Sequence, residues 1–489
     1  MEYEPTIGIE THAQLLTKSK MFCRCATLSS LQQDDSSQGA IAPNSLVCPV
    51  CLGMPGALPV INGTAVEQVI MAGLALNCQI PEISRFDRKN YHYPDLVKGY
   101  QISQLHLPLC RDGWVDIEVN GLGQRIGIHD VHLEEDTGKL MHIHGHSLID
   151  YNRSGIALME IVTEADLTSV AGAREYVLKL RRILRYLGVS SGNMEEGAMR
   201  FEANISLHPA GSATRGKRVE VKNLNSFKAL LRSLEYEIER QSTLLREGRA
   251  VLRETRGWNE TNEVTFSQRS KEMADDYRYF PEPDLPPLVI ARECVERIRA
   301  QLPELPDIRY RRIVDEYQLS SYDAHLLTDE RTVADYFEQA AAEGRSRGLS
   351  PKTVSNWITG ELFRLLHARD ADIGKNPVSP KELAELIALV ETGAVTGTTG
   401  KRVLEAMFDS GRSARDIVEQ EGLTQISDAQ QLSAVVDQVL SANPDAVSQF
   451  RAGKETVLRF LVGQVMRATR GKANPELVTT LLQERLKGS

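Results

Sequence analysis

Carboxylates and imidazoles fall in strand-patterned stretches at spacings able to gather a hard cation. In "TIGIETHAQL" the period of two puts Glu10 and His12 on one face, opposite Ile7, Ile9 and Thr11. In "IHDVHLEED", Asp130, His132, Glu134 and Asp136 share one face, and Val131, Leu133 and Glu135 share the other. Glu135 is the odd member, a carboxylate closing an apolar face, either at a frayed strand end or aimed into a cleft. "ALMEIVTE" repeats the oddity, with Glu160 on the face of Leu158 and Val162. A buried carboxylate needs a proton, a cation or a metal. Two readings follow. Glu10, His12, Glu135 and Glu160 form an oxygen-rich magnesium site with one imidazole, or Glu135 and Glu160 pair with Arg or Lys within the chain.

Cations that suit phosphate lie in neighbouring stretches. "MRFEANIS" lines up Arg200, Glu202, Asn204 and Ser206 on one strand face, although a solvated face has the same pattern. Arg153, Lys222 and Arg278 add to the supply. The stretch "FDRKNYHYPDLVKGYQISQ" (86–104) interleaves Phe86, Tyr91, Tyr93 and Tyr100 with Arg88, Lys89 and Lys98. It has neither helical nor strand periodicity, so it either holds a planar or phosphorylated ligand or staples a long loop. "HIHGH" (142–146) reads as a polar strand or hairpin surface in preference to a metal site.

Four of seven cysteines form two close pairs, Cys23 and Cys25 in "FCRC" and Cys48 and Cys51 in "CPVC". With a polar loop between them they make a tetrahedral thiolate site for structural zinc at 23–51, closed to chemistry; the alternative is four unligated thiols. Cys78, Cys110 and Cys294 read as ordinary core residues. The odd count and the absence of an export signal argue against a disulfide framework and for a cytoplasmic location.

The elements that must position these groups are legible in outline. Up to about residue 290 short strands alternate with helical stretches at "AVEQVIMAGLALNC", "SVAGAREYVLKLRRILRYLGV" and "SFKALLRSLEYEIERQSTLLREG". After "PEPDLPPLVI" the pattern becomes helix after helix, with starts at Ser350-Pro351 and Ser379-Pro380. "TGAVTGTTG" (392–400) reads as a hinge or an inter-helix loop. The expected architecture is α+β: a mixed-sheet, cradle-like catalytic domain (1–293), a helical domain (294–404) and a small helical tail (405–489). With 489 residues and 42% hydrophobic content the composition is that of a soluble multidomain protein, and no apolar run is long enough for a membrane span. The net charge of −9 excludes nucleic-acid binding through bulk charge. Residues 451–489 are the exception, with eight Lys/Arg against Glu455, Glu476 and Glu484. A solvated helical face and an RNA contact are equally compatible with that balance. P-loop, dinucleotide-fingerprint, nucleophile-elbow and H-E-x-x-H motifs are absent from the sequence.

The ordered motifs "GIETHAQLLTKSKMFCRC", "CPVCLGMPGALPVIN", "SRFDRKNYHYPDLVKGYQISQ", "HLEEDTGK", "DYNRSGIALMEIVTEAD", "NMEEGAMRFEANIS", "EVKNLNSF" and "DDYRYFPEPDL" closely resemble the B subunit of the glutamyl/aspartyl-tRNA amidotransferase. "FLVGQVMRATRGKANPELVTTLLQERL" resembles that family's C-terminal domain, so the resemblance covers essentially the whole chain. It implies an enzyme that uses ATP and Mg2+ to phosphorylate the side-chain carboxylate of Glu-tRNA(Gln) and/or Asp-tRNA(Asn). Ammonia from a glutaminase A subunit then displaces the phosphate, and a C subunit completes a heterotrimer. Carried over by position, His12, Glu135 and Glu160 would be magnesium ligands with Glu10 beside them. Lys89, Arg153, Arg200 and Lys222 would contact phosphate or carboxylate, and Tyr91 and Tyr93 would flank the nucleotide or the aminoacyl end. Glu202 stands where a shorter Asp is expected. Arg451, Arg459, Arg467, Arg470 and Lys472 would meet tRNA phosphates from off the apolar stripe of Phe450, Val457, Leu458, Leu461, Val462, Val465 and Met466. The rival class is a non-catalytic tRNA-binding scaffold, which would not need Glu10, His12, Glu135 and Glu160 together.

Overall fold

The structure is a computed structural model; it describes residues 2–32, 41–212, 214–270, 277–424, 429–469 and 471–487. The chain divides into two compact units, Met1–Leu305 and Pro306–Ser489.

The first unit is built on an eight-stranded mixed sheet. Its spatial order is Val264–Ser270, Glu254–Asn259, Val219–Leu224, Met199–Pro209, Tyr3–Gln14, Ala157–Thr163, Leu122–Glu135 and Cys110–Val119. Neighbours are antiparallel except Val219–Leu224 with Glu254–Asn259. That one parallel pair needs a crossover, and the helix Phe227–Arg246 supplies it. The three expected helices are present as Gly63–Ala75, Val170–Leu187 and Phe227–Arg246. Asn62, Ser169 and Ser226 cap their first turns through side-chain oxygens, satisfying amides that would otherwise lack partners. The helices share a single core with Ile7, Ile9, Val131, Leu133, Met159, Ile161, Phe201, Ala203 and Val221 from one face of the sheet. The opposite face is therefore free to carry polar groups.

The helical texture begins inside this unit. Val295 and Ile298 of the Arg292–Ala300 helix join the same core, and Arg297 bonds Glu67 on Gly63–Ala75 at 2.6 Å. The second unit is all-helical with two cores, one spanning residues 313–423 and one 432–486. Ser350 and Ser379 cap helices with proline in the first turn, and Ser379 forms a reciprocal capping box with Glu382. In the 392–400 stretch only the first half is loop. Thr396 caps the helix Gly397–Ser410, which absorbs the rest and runs through position 404. No helix among the described residues is long and apolar enough to cross a membrane.

Candidate active site and cysteine centre

Strand register brings the chemistry together. His12 on the central strand lies opposite Arg200 on one side and Glu160 on the other, and Glu160 lies opposite His132. Two residues along, Glu10 is opposite Glu202, and Asn204 is opposite Glu220. Because side chains alternate, these residues share the face turned away from the core.

Two clusters sit on that face. In the first, His12 Nε2 is 3.5 Å from both Glu134 Oε1 and Glu160 Oε2. His132 Nε2 is 3.1 Å from Glu160 Oε2, and its Nδ1 is 2.6 Å from Asp130. Burial pushes the Glu134 carboxyl up, and the Glu160 charge adds to the push. Burial opposes charge on Glu160 too, but His12 and His132 outweigh it and hold that carboxyl well below the usual range. Burial likewise disfavours charge on both imidazoles, yet Glu160 pulls them up. His12 Nδ1 is buried without a hydrogen-bond partner among the described residues. An octahedral ion with bonds of about 2.1 Å sets adjacent donors about 3 Å apart. His12 Nε2 stands about half an ångström outside that spacing from each of the two carboxylates.

The second cluster joins Glu10, Glu202 and Glu220, whose oxygens lie within 4.8 Å of one another. Asn204 donates to Glu10 at 2.7 Å, and Lys222 bridges Glu202 and Glu220. Burial raises the Glu10 carboxyl, and Glu160 and Glu202 raise it further.

Cations border these clusters. Burial works against charge on Lys89, but the field of Tyr279, Glu134 and Glu160 overrides it and keeps the ammonium charged. Its Nζ lies 5.3 Å from the Tyr277 ring centre. Arg200 and Arg153 both reach Asp136, at 3.4 and 3.5 Å, and Arg153 also donates to the Thr137 and Gly138 carbonyls at 3.0 Å each. Arg153 thus clamps the turn after the Leu122–Glu135 strand.

Glu135 is elsewhere. It pairs with Lys98 and accepts the Ile102 amide at 3.0 Å. It lines a cavity of about 230 Å³ with Phe22, Met54 and Tyr100. The carboxylate beside His12 and Glu160 is Glu134, because alternation puts Glu134 on the His132 face and Glu135 on the other. Alternation also places Glu220 with Lys222; the sequence reading named Lys222 for the site but not Glu220. Lys98 reaches Glu135 only through tertiary folding.

The 86–104 stretch is a ribbon, Asp87–Asn90 against Tyr100–Ser103, with Phe280–Pro281 on its other edge. Arg88 is the staple: it forks onto Glu282 at 2.7 and 2.9 Å and lies 4.2 Å from the Tyr100 ring centre. Tyr91 packs edge-on to Tyr277, while Tyr93 is 54% exposed. His142, His144 and His146 lie exposed on a separate hairpin.

The four cysteines converge, with sulfurs within 4.8 Å of one another. Cys51 Sγ is 3.9 Å from both Cys25 and Cys48. A tetrahedral ion with metal–sulfur bonds of about 2.3 Å spaces its sulfurs about 3.8 Å apart. The spacing therefore suits a structural metal. The Cys51 thiol is pulled down to about 4, first by the Cys23 thiol and then, against burial, by the Cys48 amide and the Lys20 charge.

In the tail, Val457, Leu461 and Val465 are buried, with Phe450, Leu458, Val462 and Met466 packed partly around them. Arg451, Arg459 and Arg467 are exposed and Lys472 is half-buried. Arg470 lies outside the described residues.

Residues 5–296 match the GatB/GatE catalytic domain, and residues 335–486 match the GatB domain. The chain is 53% identical to the B subunit of the aspartyl/glutamyl-tRNA(Asn/Gln) amidotransferase of Moorella thermoacetica, over 99% of this chain and 100% of the relative. It is 51% identical to that of Carboxydothermus hydrogenoformans, over 99% of each. The chain belongs to this family. For an amidotransferase B subunit, the catalytic-domain match spans the whole polar sheet face and the cysteine centre, and the second match spans the basic tail.

Proposed function

We propose that this B subunit phosphorylates the side-chain carboxylate of Glu-tRNA(Gln) and/or Asp-tRNA(Asn) with ATP and Mg2+, and then releases the amide when ammonia displaces the phosphate. A free carboxylate is a poor acyl donor because oxide is a poor leaving group; phosphorylation corrects this, and the protein's task is to position and neutralise charge. The observation that carries the reading is the buried trio His12, Glu134 and Glu160 with charged Lys89 in its field. The trio would hold magnesium, which neutralises phosphate charge when bound. Lys89 and Arg200 present cations to the transferring group. Glu10, Glu202 and Lys222 extend the polar floor, and Arg153 fixes the turn beside it. Tyr91 and Tyr93 border the nucleotide or the aminoacyl end.

In this reading the cysteine centre carries structural zinc, and the A and C subunits complete a cytoplasmic heterotrimer. Arg451, Arg459, Arg467, Arg470 and Lys472 meet tRNA phosphates. The 1–293, 294–404 and 405–489 segments serve catalysis, connection and tRNA binding. The test is co-expression with candidate A and C subunits, followed by assay of both misacylated tRNAs with ATP, Mg2+ and glutamine. ATP-dependent amidation of at least one is expected. Binding of tRNA by the complex without any ATP consumption would leave the scaffold function in its place.

A further inference from the structure

Lys20 is fully buried, at 0% exposure. An ammonium in such a place needs a counter-charge. Among the described residues Lys20 forms no ion pair with a carboxylate. Its Nζ donates to the Tyr151 carbonyl at 3.2 Å and to Cys51 Sγ at 3.7 Å. Its own backbone amide bonds the Cys25 carbonyl at 3.0 Å, so the lysine is tied into the C-x-C turn it faces. Its stem runs beside Gly155, where an added Cβ would lie 3.7 Å from Lys20 Cδ and 3.6 Å from Cys51 Cβ.

A divalent ion held by four thiolates is a dianion, and burying that charge is costly without a partner. We propose that Lys20 is the charge-balancing partner of a tetrathiolate zinc centre, setting how tightly the four cysteines retain the metal. The inference rests on the zinc reading given above. It also explains the lysine itself: metal and thiolates supply the negative charge that makes the buried ammonium tolerable.

The experiment uses the full-length chain, with Zn2+ and Co2+ as probes. Zinc affinity is measured by chelator competition, and thiolate ligation by the cobalt charge-transfer band. Lys20→Met and Lys20→Gln should weaken zinc retention about 10- to 100-fold, the usual effect of removing a partner that stands behind metal ligands. Lys20→Gln keeps a donor for the Tyr151 carbonyl, so it separates charge from hydrogen bonding. Both variants should keep the cobalt–thiolate band. Stripped of metal, Lys20→Met should melt at or above the temperature of stripped wild type, whereas a merely packing lysine would lower both forms alike. Cys48→His, which removes one negative charge from the centre, should weaken zinc binding less in the Lys20→Met background than in wild type. Unchanged zinc affinity in both neutral variants overturns the proposal while leaving the zinc reading intact. Wild type without zinc or a cobalt–thiolate band overturns both. If neither neutral variant folds with zinc present, recovery of folding by Cys48→His supports the charge role and failure to recover overturns it.

Discussion

The cysteine centre and the acid–histidine cluster both gather ligand atoms from distant segments, yet they treat charge in opposite ways. The cysteines form a closed set of four soft donors, with one buried lysine against them. His12, Glu134 and Glu160 form an incomplete set of hard donors, in which Glu160 faces two imidazoles in place of a fixed cation. A closed set has no position left for a substrate, whereas an incomplete set leaves the cation's remaining positions to phosphate or water. Glu237 supplies the third case. It is buried and its charge is met within the chain by Arg240 and Arg256, with Gln241 and Thr265 donating to it. A carboxylate so satisfied needs no metal. The same residue type is therefore left open to a cation, or closed to one, according to whether the chain supplies its counter-charge.

The largest effect should come from opening the hard-donor set. Glu134→Gln or Glu160→Gln in the assembled complex should lower tRNA amidation by about a thousandfold, in the range for loss of preorganised charge stabilisation. Glutaminase turnover in the A subunit should be unchanged. Glu134→Gln should raise the magnesium concentration that amidation needs, and Glu135→Gln should leave it as in wild type. Equal magnesium titrations for the 134 and 135 variants would erase the distinction drawn between the two neighbours.

Opening the soft-donor set should act on stability. Cys51→Ser removes one of the four converging sulfurs, and the first unit should melt on the order of 10 °C lower, as expected when a structural metal is lost. Scanning calorimetry with and without chelator checks this, because chelated wild type should match the variant.

The smallest effect belongs to the balanced carboxylate. Burial works against charge on Glu237, but Arg240 outweighs it and the folded carboxyl sits below its ordinary range. Its contribution is therefore fully present above the unfolded value of about 4.3 and is lost as pH falls through the lower folded value. Glu237→Gln should flatten the acid limb of a stability–pH curve while changing amidation little. An unchanged acid limb would remove Glu237 as the reference case.

Much of this contrast was legible from alternation and spacing alone. The period of two placed His132 with Glu134, and Glu10 with His12. The two cysteine pairs announced a tetrathiolate, and Ser350 and Ser379 marked helix starts. Glu135 drew the magnesium reading because it closes an apolar face, although the same parity put Glu134 beside His132. Lys98 and Lys20 were not legible as partners because each meets its counter-charge through a long-range contact that no local pattern encodes. The first half of "TGAVTGTTG" became loop and the second half helix because Thr396 caps the turn that its glycines begin.

The central strand Tyr3–Gln14 is made well before both of its partners. Its neighbours are Ala157–Thr163 and Met199–Pro209. At a synthesis rate of about 5–20 residues per second, it waits on the order of ten to forty seconds for both. Until Ala157–Thr163 is made Ile7, Ile9 and Ala13 lack their sheet neighbours and both strand edges stand open to other chains, and one edge stays open until Met199–Pro209 follows. The element that centres the polar face is thus also an exposed liability of the nascent chain, and a ribosome stalled before residue 157 would present it to chaperones.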